Sequence, residues 1–155
     1  MMIRPATPSD AEGMKAVHDE IFAAGLRKVP GDLAQVRANY IEAENRIDCF
    51  VAVDDEGRIL GFQSLRHSWS DNPYGVAEGW GIIGTHVSPR AARQGVGSGL
   101  FRATLAAAKA VGLENIDASI GADNPLGQAY YEAMGFRTYR TPDGLVCKVY
   151  RVDHT

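Results

Sequence analysis

The stretch Arg93-Gln94-Gly95-Val96-Gly97-Ser98-Gly99-Leu100 is a glycine-rich turn that leads directly into an apolar helical pattern. Glycines at alternate positions let the backbone turn sharply and approach a ligand closely, because no Cβ stands in the way. The helix that follows leaves its first N–H groups without internal partners and has the positive end of its dipole there. The stretch therefore predicts a cradle for an anion, most naturally phosphate or pyrophosphate.

The composition is typical of a soluble globular protein, with 155 residues, 45% hydrophobic and 23% charged. This length predicts one domain, residues 1–155. The net charge of −3 argues against nucleic acid or an anionic membrane as the main partner. No apolar run is long enough to cross a bilayer, and the N-terminus turns polar too early for a signal peptide. We expect a cytoplasmic enzyme or binding domain, and the sequence leaves a homodimer open.

Cysteine and histidine spacing predicts neither a disulfide nor a metal site. Cys49 and Cys147 lie far apart in apolar, strand-like runs, which is typical of reduced thiols in a core. His18, His67 and His154 show no paired spacing of metal ligands. We therefore expect no metal.

The remaining patterns predict the element order β-αα-βββ-α-β-α-ββ. Helical periodicity covers residues 11–22, 33–41, 96–112 and 125–134, and strand-like runs cover 2–4, 49–53, 59–65, 81–87, 116–120, 136–139 and 145–152. The clustering of strands favours an α/β (α+β) fold over a doubly wound one. We expect a mixed, mostly antiparallel sheet of six to seven strands flanked by about four helices.

Two well-known phosphate motifs do not fit the glycine turn. A P-loop needs a Gly-Lys-Ser/Thr ending, and no lysine lies between Lys28 and Lys109. A dinucleotide-binding turn needs Gly-x-Gly-x-x-Gly close to the end of a strand, whereas seven residues separate Val87 from Gly95 here. The ligand must therefore be a phosphate-bearing molecule of another class.

The run from Val87-Ser88-Pro89 through residues 93–100 resembles the acetyl-CoA signature of the GNAT family of N-acetyltransferases. Asn124, Tyr131 and Gly135-Phe136 resemble the Asn…Tyr…Gly-Phe segment of the same family. The predicted element order also resembles the GNAT fold along nearly the whole chain. The resemblance implies a single acetyl-CoA-binding acyltransferase domain.

The resemblance also implies roles for individual residues. Val87 would offer backbone groups to the pantetheine arm, and Asn124 would hydrogen-bond that arm. Tyr131 would stand beside the thioester sulfur as general acid. The pyrophosphate would be held chiefly by backbone N–H groups of the turn, namely those of Arg93, Gln94, Gly95, Val96, Gly97 and Ser98.

The sequence departs from the family pattern at three places. Ala92 stands where the family usually has Arg or Gln, and we expect Arg90 or Arg93 to supply that charge instead. Gly127 stands where Ala is common, and it would leave space beside the Tyr131 phenol. Ser119 stands where the ribosomal-protein branch of the family has a catalytic Glu, which weakens a protein-N-terminus interpretation.

Helical spacing predicts which face of the last helix is buried. Leu126, Ala129, Tyr130 and Ala133 follow the i, i+3, i+4, i+7 rule and form the predicted core stripe. Tyr131 falls on the adjacent, half-exposed face.

The acceptor site is expected between the first two helices and the loop 66–79. Trp69 and Tyr74 would wall it or pack the loop, and Asp71 and Glu78 would attract a cation. The general base stays open between His86, Glu78, Asp71 and a water relay. Strand alternation points His86 away from the Val87 side, which favours a packed strand histidine.

The sequence therefore predicts transfer of an acetyl group from acetyl-CoA to a primary amine of a small molecule, by direct attack. A protein lysine or N-terminal acetyltransferase is the first alternative. A non-catalytic acyl-CoA-binding sensor is the second.

Overall fold

The computed structural model describes residues 1–154, which form one seven-stranded sheet with helices on both faces. The strand order is β1-β2-β3-β4-β5-β7-β6, and every neighbouring pair is antiparallel except β4 and β5. The predicted element order and the mixed, mostly antiparallel sheet are confirmed.

The strands and helices have the following bounds. The strands are β1 (Met2–Pro5), β2 (Arg46–Val53), β3 (Ile59–His67), β4 (Gly81–Val87), β5 (Asn115–Gly121), β6 (Arg137–Arg140) and β7 (Leu145–Arg151). The helices are α1 (Ala11–Ala23), α2 (Leu33–Val36), which continues as a π-helical turn over Arg37–Ile41, α3 (Val96–Ala110) and α4 (Pro125–Met134). Short 3-10 turns cover Pro8–Asp10 and Pro89–Ala91.

Strand β2 begins three residues earlier than the sequence predicts. Arg46 and Asp48 break the apolar pattern there, but their side chains pair with each other at 3.0 Å. Arg46 also donates to the carbonyl oxygen of Ala6 at 3.1 Å. These partners satisfy the polar side chains, so the strand extends through them.

The sheet has two unlike faces, because side chains alternate along each strand. On one side, the α1 face, Phe62 packs with Met14 and Val17 of α1. On the other, the α3 face, Leu65 packs in a core that includes Phe101 of α3. Helices therefore close both faces of the sheet.

Strands β4 and β5 pair over a short distance and then separate. Their parallel register covers only two pairs, Gly81 with Ile116 and Ile82 with Asp117. The rest of β4, up to Val87, pairs with β3 on one side alone. The sheet therefore has a gap between the carboxyl ends of β4 and β5, and that gap connects its two faces.

Candidate active site

A cavity of about 1040 Å³ occupies the gap between β4 and β5 and is lined from both faces of the sheet. On the α3 face its wall is formed by the turn before α3 and by the first two turns of α4. On the α1 face the wall includes Arg27, Tyr40 and Arg66. One space thus runs from the glycine turn to the opposite side of the sheet.

The glycine turn presents a row of unpaired backbone donors. None of the N–H groups of residues 93–98 donates a hydrogen bond to any residue in the range 1–154. Arg93 and Gly95 both have a positive φ, 64° and 77°, and such left-handed residues within a turn aim successive N–H groups into one concavity. The N-terminus of α3 adds its dipole. The turn is therefore built to hold an anion.

The structure brings most of the residues singled out by the sequence to this one cavity. Its lining includes Val87, Arg93, Gly95, Val96, Gly97, Ser98, Asn124 and Tyr131. Gln94 is the exception among side chains, because it turns back and its amide donates to the Arg90 carbonyl oxygen at 3.4 Å.

The charge missing at Ala92 is not replaced by Arg90. The Arg90 guanidinium donates to Glu20 at 2.7 Å and to the Ile59 carbonyl oxygen at 2.9 Å, away from the turn. The part of our expectation that named Arg90 is therefore wrong. Arg93, which lines the cavity, is the arginine left at the turn.

Backbone groups at the end of β4 face the gap. The Ser88 N–H donates to the Leu60 carbonyl oxygen at 2.9 Å, and in an antiparallel pair successive residues point their hydrogen-bonding groups to opposite sides. The N–H and C=O groups of Val87 and Thr85 therefore point toward β5, which has already separated from β4. The groups of Val87 are available to a ligand lying in the gap, whereas the Thr85 N–H hydrogen-bonds the Tyr131 hydroxyl.

Asn124 caps α4 and faces the cavity at the same time. Its Oδ1 accepts from the Gly127 N–H at 2.9 Å, which satisfies one of the free donors of the helix. A Cβ on Gly127 would stand 2.6 Å from the Asn124 Nδ2. The space that Gly127 leaves is thus taken by the Asn124 amide rather than lying beside the Tyr131 phenol, and our expectation on this point is wrong.

Tyr131 lines the cavity, with its hydroxyl 2.7 Å from Thr85 Oγ1. Gln63 Nε2 donates to Thr85 Oγ1 at 2.9 Å, so the threonine hydroxyl can donate in turn to Tyr131. The phenolic proton of Tyr131 is then free to point into the cavity. Burial is the largest influence on the Tyr131 pKa and raises it above the usual value, so the phenol stays protonated at neutral pH.

The neighbouring Tyr130 has a structural role. Its hydroxyl donates to the Gly97 carbonyl oxygen at 2.8 Å and accepts from Gln63 Nε2 at 2.9 Å. It therefore ties α4 to the first turn of α3 and holds these two walls of the cavity together.

The predicted burial of α4 is wrong. Leu126 of the predicted core stripe is 67% exposed, whereas Tyr131, predicted to be half-exposed, is only 6% exposed. Leu126, Ala129 and Tyr130 border the cavity, so their apolar stripe faces open space that a ligand can fill. Helical spacing identifies an apolar stripe, but it does not say whether protein or ligand covers it.

On the α1 face, an aromatic cluster borders the cavity. His86 stacks on Phe62 with ring centroids 4.6 Å apart, and its Nδ1 lies 3.2 Å from His18 Nε2. Its Nε2 lies 3.4 Å from the Tyr40 hydroxyl. Burial lowers the pKa of His18 to about 4 and that of His86 well below its usual value. Both rings are therefore neutral at physiological pH.

His86 is a packed strand histidine, as the alternation predicts, and it also forms part of the cavity wall. The other two side chains considered as a base, Asp71 and Glu78, are exposed and do not line the cavity. Among the three, the geometry leaves only His86 within reach of an acceptor.

The acceptor side differs from the sequence expectation in its charge. Tyr74 lines the cavity, but Trp69 lies beneath the Arg66 guanidinium, whose carbon is 4.5 Å from the ring centroid. The charged side chains in the wall here are Arg27 and Arg66, not carboxylates. Sequence reasoning missed both arginines, because one lies in the turn after α1 and the other at the end of β3, and no local pattern relates them.

Two features are absent from residues 1–154. No helix there is long and apolar enough to cross a membrane. No group of three His, Cys, Asp or Glu side chains in that range comes together as metal ligands do. Cys49 and Cys147 are both buried and free, which confirms that both lie in the core.

Solved structures with the same fold are numerous. A GCN5-related N-acetyltransferase from Kribbella flavida has a TM-score of 0.77 at 21% identity, with 97% of this chain and 96% of that chain covered. A phosphinothricin acetyltransferase from Sinorhizobium meliloti in complex with acetyl-CoA has a TM-score of 0.77 at 19% identity, covering 97% and 88%. The ribosomal-protein-S18-alanine N-acetyltransferase from Escherichia coli has a TM-score of 0.73 at 18% identity, covering 97% and 93%. Likeness at such low identity shows the fold.

Family membership comes from the sequence itself. None of the curated protein sequences is detectably similar to the chain. The model of the Acetyltransferase (GNAT) family, however, matches residues 14–136, which include the glycine turn, Asn124 and Tyr131. The chain therefore belongs to the GNAT family and is an acetyl-CoA-dependent N-acetyltransferase.

Proposed function

We propose that this enzyme transfers the acetyl group of acetyl-CoA to the primary amine of a small molecule, with Tyr131 as general acid. The observation that carries the proposal is the continuous cavity between β4 and β5. It joins an anion-binding turn on one face of the sheet to a separate pocket on the other. Such a passage allows two substrates to meet from opposite sides at the gap.

The residues present fit acetyl-CoA as the donor. The free N–H groups of residues 93–98 and the charge of Arg93 would hold the pyrophosphate. The unpaired backbone groups of Val87 and the free Nδ2 of Asn124 would position the pantetheine arm. When bound, acetyl-CoA supplies the acetyl group as a thioester, and its sulfur leaves as the CoA thiol.

Tyr131 would donate a hydrogen bond from its phenol to the leaving sulfur. A thiol has a pKa near 8.5, below that of a phenol, so complete proton transfer from tyrosine to the sulfur is uphill. The hydroxyl therefore acts chiefly by stabilising negative charge as it develops on sulfur. Any proton that the phenol gives to the sulfur is replaced by the one that the amine loses, so the phenol ends the reaction protonated. This role needs a phenol that stays protonated, and burial ensures that by raising the pKa of Tyr131.

The acceptor must attack as a neutral amine, because an ammonium group has no lone pair. His86, neutral because burial lowers its pKa, has Nε2 near the Tyr40 hydroxyl at the cavity wall. It would receive the proton that the amine loses, directly or through water.

The choice of a small molecule over a protein rests on the cavity. Structural neighbours with names of either kind match the fold almost equally well, so the fold does not choose between them. The acceptor end is walled by α1, the helical turn over Arg37–Ile41 and the loop after β3. Such walls suit a compact amine better than an extended chain.

The proposal is tested by following free-thiol release from acetyl-CoA with three sets of acceptors: small primary amines, peptides with a free N-terminus and peptides with an internal lysine. Release with small amines is the expected result. Release with peptides alone would show a protein acetyltransferase instead. Tight acetyl-CoA binding without release on any acceptor would show a sensor.

The two adjacent tyrosines provide a matched test of the general acid. Tyr131→Phe should lower kcat about 10²-fold, the ordinary size of a general-acid contribution, with the KM for acetyl-CoA little changed. Tyr130→Phe should instead lower stability by about 1–2 kcal/mol, because it leaves Gly97 and Gln63 without their partner, and kcat should be largely kept. Unchanged kcat in Tyr131→Phe would rule out the assigned role.

A further inference from the structure

We infer that the acceptor carries an anionic group as well as its amine, and that Arg27 and Arg66 bind that group. This inference rests on the proposed acetyl transfer and names the class of acceptor, namely small amino acids, which carry a carboxylate as well as the amine. It is argued from the placement and pairing of the two arginines.

Arg27 and Arg66 reach the same part of the cavity from different elements. Arg66 lies on β3 four residues after Phe62, so alternation places its side chain on the α1 face with that of Phe62. Arg27 follows α1, which packs on that face. Both line the cavity together with Tyr40. An acceptor entering from the α1 face therefore meets two positive charges.

Neither guanidinium is neutralised by a carboxylate within residues 1–154. Arg27 donates through Nε to the Val29 carbonyl oxygen at 3.0 Å, and Arg66 lies over the Trp69 ring. No ion pair involves either of them in the part of the chain that the structure describes.

Other half-buried arginines of the same chain behave differently. Arg4 pairs with Asp10 at 2.8 Å, Arg46 with Asp48 at 3.0 Å, and Arg90 with Glu20 at 2.7 Å. The chain thus supplies carboxylates to arginines that hold the fold together. Arg27 and Arg66, in the acceptor wall, have no such carboxylate partner and are available to bind an anion.

The cavity wall also lacks any acidic side chain among the described residues. Its charged members are Arg27, Arg66 and Arg93, and Arg93 belongs to the glycine turn. The nearby carboxylates of α1 are already engaged, since Asp19 accepts from Lys15 at 2.7 Å and Glu20 binds Arg90. A cationic acceptor such as a polyamine would enter this site with no counter-charge and against two like charges.

The positive charge of these arginines affects the pKa values of other groups that border the acceptor pocket. Burial is the main cause that lowers the pKa of His18 and of His86, and the charge of Arg27 lowers both further. Burial raises the pKa of the Tyr40 hydroxyl, and Arg27 and Arg66 both act against that rise. The same positive charge acts on the acceptor. A cationic environment disfavours an ammonium group and favours the neutral amine.

One arrangement therefore serves both binding and chemistry. The acid of the acceptor neutralises a guanidinium through charge-assisted hydrogen bonds, while the remaining positive charge lowers the pKa of its amine and so favours the neutral form that attacks. The proton that the amine loses on attack passes to His86, directly or through water. The site selects a molecule with both groups close together.

The test compares amino acids with their own carboxamides, which keep the amine and the side chain but lose the negative charge. The panel covers the proteinogenic amino acids, β-alanine and 4-aminobutyrate, each with its amide, and thiol release from acetyl-CoA is followed. For the acceptors that react, we expect kcat/KM to be roughly 10- to 100-fold higher for the acid than for the amide, the size of a hydrogen-bonded charge interaction. Equal or better turnover of the amides by the wild type overturns the inference.

Three variants locate the anion site. Arg66→Gln and Arg27→Gln should each reduce the acid-to-amide preference by about tenfold or more, chiefly through KM for the acid. Arg102→Gln is the matched control, because Arg102 is an exposed residue of α3 outside the cavity, and its preference should equal that of the wild type. A preference that survives in both cavity variants would also overturn the inference.

A binding measurement separates this inference from the proposed function. Calorimetry with CoA present should show that the amino acid binds the wild type more tightly than its amide does, and that Arg66→Gln removes the difference. If no amine releases thiol but this binding pattern is found, the transfer proposal fails and the anion site stands. If thiol is released and the acid binds no better than the amide, the anion site fails and the transfer proposal stands.

Discussion

Replacing Gly97 by alanine should destabilise the protein, whereas the same change at Gly99, two residues later in the same helix, should not. A Cβ on Gly97 would stand 2.5 Å from Cε1 of the Tyr130 ring, about 1 Å closer than ordinary carbon contacts allow. The ring cannot move freely, because its hydroxyl is bonded to the Gly97 carbonyl oxygen at 2.8 Å and to Gln63 at 2.9 Å. Alanine at 97 must therefore break one of these bonds or separate α4 from α3.

The size of the effect follows from these contacts. Overpacking of this kind costs about 1–3 kcal/mol, and a lost hydrogen bond adds about 1 kcal/mol. The higher helix propensity of alanine relative to glycine offsets less than about 1 kcal/mol of this loss. At Gly99 the nearest atoms are side-chain carbons of Met1 and Ile3 at 3.4 and 3.5 Å, which is ordinary contact. Gly99→Ala should therefore keep the helix gain and be neutral or slightly stabilising.

Urea unfolding followed by circular dichroism measures both variants. We expect Gly97→Ala to be about 2 kcal/mol less stable than Gly99→Ala, with a weaker affinity for acetyl-CoA, since Tyr130 joins the two walls of the donor site. In a Tyr130→Ala background the clash has no partner, so Gly97→Ala should then cost nothing. Equal stability of the two alanine variants in the wild-type background would refute this reasoning.

Two further predictions concern the turn and the histidine pair. Gly95→Ala and Gly57→Ala both place a Cβ at a positive φ with open space around it, so each should lower the free energy of unfolding by about 1 kcal/mol, measured with urea. Only Gly95→Ala should also raise the KM for acetyl-CoA several-fold. A similar KM in both variants would contradict the phosphate-binding role of the turn. His18, whose pKa burial lowers to about 4, is neutral in the fold, while an unfolded histidine titrates near 6.5 and takes up a proton first as the pH falls. The contribution of neutral His18 to the free energy of unfolding is therefore complete above pH 6.5 and declines by about 3 kcal/mol toward pH 4. Urea midpoints measured between pH 7.5 and 4.5 should fall more steeply in the wild type than in His18→Gln. Parallel curves would contradict the assignment of His18 as a buried, neutral histidine.

Much of the fold follows from local signals in the chain. Asn124-Pro125 begins a helix because the asparagine side chain accepts from the otherwise free N–H of Gly127. Proline suits the first helical position because it has no N–H that would need a partner. Gly95 adopts the left-handed backbone that its turn requires. These signals act within one helical turn, so neighbouring residues in the sequence suffice to predict them, and the same short-range spacing carries the family signature.

Other features depend on how distant segments meet. Tyr131 is buried and Leu126 is exposed, the reverse of the expectation from helical spacing, because the gap between β4 and β5 opens a cavity beneath the first turns of α4. Periodicity gives the position of an apolar stripe, whereas sheet order decides whether that stripe meets a core or a ligand-sized space.

The sequence by itself determined the element order and the glycine turn, because both are encoded in short stretches of contiguous residues, and the donor acetyl-CoA is implied by the resemblance of those stretches to the GNAT family. Only the tertiary structure decided the acceptor side. His18 and His86 lie 68 residues apart in the chain and 3.2 Å apart in space, and Arg27 and Arg66 share a wall only because α1 packs across β3. Such contacts arise from the packing of a helix on a sheet, which no local stretch of this chain specifies.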